Sequence, residues 1–150
     1  MTERFDVVDV QPVTLAVAEA FVRQADIPSR IVGMFDEVYA WLRESDVKQV
    51  GHNHAVYDRF SANGMRMRAG FPVSKRFVDG ERIKCLQLAA CRAAHVTLVG
   101  PYSGISDAHT RLNAWCMQRK HALKGMSWEV YGDWVEDQSK LVTDIFFGLV

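Results

Sequence analysis

The sequence predicts an α+β fold made by duplicating a β-β-α-β-β unit, and three observations lead there. Two segments repeat apolar residues at helical spacing, and eight others set β-branched or aromatic residues between turn signals. The two halves also match each other at a constant offset. The expected repeats are residues 3–76 and 77–150, within a single domain spanning 1–150. Two such units side by side give one curved antiparallel sheet of about eight strands with two helices on one face. A central ligand groove then follows the pseudo-two-fold axis, where the halves do not close completely.

Taken in order, residues 5–10 and 14–22 read as strands. In the first helix Ile27, Ile31, Met34, Phe35, Val38, Trp41 and Leu42 share one face, with Asp26 or Ser29 as cap. Residues 54–60 and 65–73 are the next strands, and Val78-Asp79-Gly80-Glu81 is a tight turn joining the halves. Strands over 83–89 and 93–99 open the second half. A helix follows over 106–121, capped by Ser106, with Ile105, Ala108, Leu112, Trp115 and Cys116 on its apolar face. Strands over 127–135 and 142–149 complete the chain.

The repeat rests on several matches at one shift. Ala40-Trp41 and Val56-Tyr57 recur as Ala114-Trp115 and Val130-Tyr131, each 74 positions on. The same shift lays Ile31 on Ile105, Val38 on Leu112 and Val22 on Val96.

Composition narrows the function classes. Eighteen basic residues balance eighteen acidic ones, so the electrostatic footprint of a dedicated nucleic-acid binder is missing. Cys85, Cys91 and Cys116 form no CxxC pair and have apolar neighbours, as reduced, buried thiols do. No apolar run approaches a membrane span and the N-terminus lacks a signal-peptide pattern, so the expected location is cytoplasmic. His52-Asn53-His54 is a fragment of a metal site without a further ligand at helical spacing, and no metal or cofactor is expected. A nucleophile elbow, a phosphate-cradling glycine loop and Cys/His catalytic spacing are all absent from the sequence.

Gly100-Pro101-Tyr102, then a helix with Ala114-Trp115, then Trp128-Glu129-Val130-Tyr131, together resemble the GyrI-like effector-binding family. The resemblance covers essentially the whole chain, including Ala40-Trp41-Leu42 followed by Val56-Tyr57-Asp58 in the first half. It implies duplicated strand-helix-strand-strand (SHS2-like) repeats around a cavity. It also implies a cavity carboxylate on the strand matching Trp128-Glu129-Val130-Tyr131, with amphiphilic organic cations as frequent ligands. Family members serve as ligand sensors of AraC- and MerR-type regulators and as single-domain proteins. Here the effector domain uses up the chain, so the expectation is a stand-alone form that does not read DNA itself.

Glu129 is the foremost candidate, because its repeat partner at position 55 is Ala and the duplication has diverged there from apolar to acidic. Strand alternation puts Glu129 and Tyr131 on one face, with Trp128, Val130 and Trp134 on the other. On pattern alone Glu129 fits either solvent or a cavity; the family position favours the cavity. Tyr102 and Tyr57 are candidate aromatic walls. So are Trp41 and Trp115 at equivalent helical sites, with Phe71, Met67 and Met65 as further lining.

The leading expectation is a non-enzymatic module binding amphiphilic, cationic aromatic compounds, for drug sequestration or sensing. A hydrolase using Glu129 on a reactive small molecule is one alternative, although the sequence offers no second catalytic group. A gyrase-inhibitor-like module with a protein partner is another, and a haem-binding relative is more remote.

Overall fold

The computed structural model describes residues 3–150. In chain order the elements are β1 (Phe5–Val10), β2 (Val13–Val22), α1 (Ile27–Arg43), β3 (His54–Ser61) and β4 (Gly64–Pro72). They continue with β5 (Lys84–Leu88), β6 (Cys91–Val99), α2 (Ile105–Gln118), β7 (Leu123–Tyr131) and β8 (Val142–Leu149). Short 3-10 turns at Gln24–Asp26 and Tyr102–Gly104 lead into the two helices. The class is α+β, the strands within each unit pair antiparallel, and each unit has four strands and a helix.

The two compact units differ from the two sequence repeats. One is contiguous, Pro12–Ala89, with strand order β3-β4-β2-β5. The other joins β1 to everything from Ala90 to Val150, in the order β1-β6-β8-β7. The first strand of each repeat is therefore exchanged: β1 pairs with β6, and β5 pairs with β2.

In the contiguous unit, Met34 and Val38 of α1 are buried, as are Ala16, Ala18, Ala69 and Phe71 of the sheet. Phe71 also stacks on Tyr39 of the helix at 4.5 Å. Gly70 on β4 lets β2 lie close: a Cβ there would stand 1.7 Å from the Ala16 carbonyl oxygen. The β3–β4 hairpin turns through Gly64, whose φ of +141° a side chain would strain. In the other unit, Ala108, Leu112 and Cys116 recur every fourth residue of α2 and meet Ala94, Val96, Ile145, Phe147 and Leu149 of the sheet.

Three expectations on local structure change. Gly104, not Ser106, precedes α2, because the 3-10 turn runs straight into the helix and Ser106 falls inside its first turn. Strand β7 begins earlier than expected and ends at Tyr131, so Trp134 lies in the following loop and is 71% exposed. The uniform 74-residue offset also fails before the helices. Ile27 and Ile105 open them, 78 positions apart, and α1 is 17 residues long against 14 for α2. Pairing Ile31 with Ile105 or Val22 with Val96 is thus about one helical turn out of register. A helix face repeats every three to four residues, so that slip leaves the apolar pattern in step.

The cysteines also differ in part: Cys116 is buried, whereas Cys85 and Cys91 are half-buried. His54 is not a solvated loop residue but opens β3 half-buried, with Nδ1 2.8 Å from the His52 carbonyl, and burial lowers its pKa. No described helix is long and apolar enough to cross a membrane.

Candidate functional site

On β7, Ser127, Glu129 and Tyr131 lie opposite Phe147, Ile145 and Thr143 of β8 and share their face. Ile145 and Phe147 belong to the core that α2 covers, so Glu129 is turned toward the helix. The alternate residues point away, where Trp128 stacks on Phe146 at 5.2 Å. Only 5% of Glu129 is exposed. A carboxylate buried that far is tolerated when its oxygens are hydrogen-bonded, and both of them are. The Tyr131 hydroxyl donates to Oε1, and Nε2 of His109 lies 2.6 Å from Oε2.

His109 stands next to Ala108 on α2, one residue off the buried stripe, on the side facing β7. The opposite flank of the helix faces β1, where Arg111 binds Glu3 and Trp115 stacks on Phe5. The His109 ring also packs on Phe147, with centroids 5.4 Å apart. Thr143, directly opposite Tyr131, is fully buried with no hydrogen bond to its hydroxyl. Such an orphaned group costs about 1–3 kcal/mol unless something satisfies it.

Tyr102 joins this group. Gly100, with φ of +145°, donates its N–H to the Leu141 carbonyl and turns the chain out of β6 into the 3-10 turn. The Tyr102 ring then meets Tyr131 edge-on at 5.9 Å. It remains 41% exposed, and partial burial raises its phenol pKa.

The structure thus gathers Glu129, Tyr131 and Tyr102, and adds His109 and Thr143. The other candidates make contacts within their own units. Trp115 packs at the far end of α2 between Phe5 and His121, with the Arg119 guanidinium 5.5 Å over its ring. In the contiguous unit Trp41 packs on Phe77, Phe71 on Tyr39, and the buried Tyr57 lies opposite the fully buried Met67. Met65, half-buried, pairs with Val22. Sequence reasoning missed His109 because its partner is 20 residues away on another element. One signal was available: counted from the helix start, His109 replaces Ile31 of the other repeat, a polar change that parallels Ala55 to Glu129.

Each unit thus sets one helix against a face of a four-stranded antiparallel sheet, an α+β architecture. A family model described as a GyrI-like small molecule binding domain matches residues 6–150, and the chain belongs to that family. Among solved structures, the EcmrR C-terminal domain superposes with a TM-score of 0.85 at 15% identity, covering 100% of this chain and 99% of that one. EcmrR in its complex with DNA gives 0.84 at 15% identity over 98% of this chain, which spans 57% of that longer one. SAV2435 bound to tetraphenylphosphonium gives 0.76 at 13% identity, covering 98% and 94%. A hydrolase from Listeria innocua gives 0.61 at 8% identity, covering 98% and 92%. No curated protein sequence matches the chain significantly.

Proposed function

We propose that this domain binds amphiphilic aromatic cations, with Glu129 as counter-ion and Tyr131 and Tyr102 as aromatic walls, and so acts in sensing or sequestration. The observation that carries the reading is a carboxylate 5% exposed beneath a helix, hydrogen-bonded by Tyr131, whose ring in turn meets Tyr102. A charge so poorly solvated is a good partner for a cation that is itself shedding water. Each ring face adds about 0.5–2 kcal/mol of cation–π attraction. The tetraphenylphosphonium held by SAV2435 is a cation of the expected kind. Tyr57, Met67, Phe71, Trp41 and Trp115 are assigned to packing in this reading.

The test is a thermal-shift and titration comparison of tetraphenylphosphonium with neutral triphenylphosphine oxide. A ligand at 100 times its dissociation constant adds about 2.7 kcal/mol of stability, a shift of several degrees. Glu129→Gln is expected to weaken the cation by about 2–5 kcal/mol and to leave the neutral compound unchanged. Equal cation binding by the variant removes Glu129 from the role.

A second reading has one observation in its favour. His109 supplies the acid–base partner that the sequence did not offer for hydrolysis by Glu129. Turnover of an electrophilic substrate, abolished in Glu129→Gln, would replace the binding reading with it.

A further inference from the structure

We propose that His109 is a positioning and specificity-determining residue that sets the charge class of ligand accepted at Glu129. The inference rests on the cation-binding reading above.

The argument begins with the hydrogen-bond arithmetic of the carboxylate. Tyr131 donates to one oxygen, and His109 Nε2 stands 2.6 Å from the other. An ionised Glu129 only accepts, and Nε2 then carries the proton in this contact. With a neutral imidazole, the pair bears one net negative charge and both oxygens are held in place. A proton added at Nδ1 makes imidazolium and carboxylate cancel, and the attraction for an incoming cation goes with it. Neutral ligands lose nothing.

Within this unit, the described sheet residues that face α2 around the pair are otherwise uncharged. Toward α2, β6 presents Ala94 and Val96, and β8 presents Thr143, Ile145 and Phe147, none of them charged. From β7 only Glu129 and Tyr131 among these facing residues titrate, and Tyr102 adds a neutral phenol. On the helix itself Asp107 is exposed, and Arg111 is turned to Glu3 on the opposite flank. His95 and Asp144 lie on the other face of the sheet. The His109 side chain is 26% exposed against 7% for Glu129, so solvent protons reach the imidazole while the carboxylate stays covered. In the other repeat, Ile31, at the same count from the helix start, and Ala55, 74 positions before Glu129, are both apolar.

The experiment measures affinity for tetraphenylphosphonium and triphenylphosphine oxide between about pH 5 and pH 8, the range in which imidazoles titrate. Cation affinity of the unaltered protein should rise about tenfold or more across this range, the lower end of what close charge pairs contribute. Affinity for the neutral compound should stay level. His109→Gln keeps an N–H donor without a titrating ring; whatever its absolute affinity, it should lose most of the slope. His109→Asn serves the same purpose where the first variant does not fold. Titration in buffers of differing ionisation enthalpy should also show cation binding expelling protons from the parent within this range and markedly fewer from the variant. A variant that keeps the parent's slope and proton release overturns this proposal while leaving cation binding intact. A parent that binds the neutral compound but no cation at any pH overturns the cation reading as well.

Discussion

His95 bridges two carboxylates, with Nδ1 3.0 Å from Asp6 Oδ1 and Nε2 2.7 Å from Asp144 Oδ1, while Thr97 donates to the same Asp144 oxygen. The bridge stitches β1, β6 and β8 together on the face away from α2. The hydrogen bond to Asp144 raises the imidazole pKa, against the pull of burial, and the same contact lowers that of Asp144. A raised histidine contributes its full stability below the unfolded value of about 6.5 and loses it as pH rises through the folded value. A lowered aspartate contributes above about 3.9 and loses it as pH falls through its own folded value. Both contributions are complete between about pH 4 and 6.5. Thermal midpoints should therefore separate the parent from His95→Gln most widely near about pH 5, and less above neutrality. A gap that widens toward alkaline pH would contradict the bridge. At this scale the sequence pointed to Glu129 through its divergence from Ala55, but it was silent on His95 and His109, whose partners stand 20 to 89 residues away.

The helices show how far a pattern reaches at the scale of the element. The apolar face of α2 was legible because Ala108, Leu112 and Cys116 repeat at one-turn spacing over a sheet face rich in small and branched residues. Leu112 is fully buried at the centre of that contact. Leu112→Ala should cost about 2–5 kcal/mol in denaturant unfolding, and a loss under about 1 kcal/mol would mean the helix packs otherwise. Strand β7 was legible only from Ser127 onward. Its first residues, Leu123–Gly125, are exposed, Gly125 has φ of +87°, and the register to β8 shifts between Leu123 and Ser127. Alternation that nothing buries leaves no mark in the sequence.

For the whole molecule, the exchange of β1 and β5 decides which stretches of chain can stand alone. Residues 12–89 contain a complete four-stranded unit with its helix, whereas residues 3–76 contain β1 without β6 and lack β5. A fragment of residues 12–89 should accordingly give more hydrogen-exchange protection and a more cooperative unfolding transition than one of residues 3–76. Greater protection in the 3–76 fragment would show that the sequence repeat, not the spatial unit, is the folding unit. The extra turn of α1 has a related lesson. It left a single offset looking uniform along the chain although the strands before the helices follow a different one.

By itself the sequence determined the class, the order of the elements, their apolar faces, the duplication and the acidic position at 129. Each of these is written in local periodicity or in the comparison of one half with the other, because burial constrains residue type at fixed spacing along an element. Only the tertiary structure decided that β1 and β5 change places, that Tyr102 meets Tyr131, and that His109 and Tyr131 hold the two oxygens of Glu129. Those facts depend on which strands pair and which flank of a helix faces which strand. Contacts made across such distances in the chain impose no period on it.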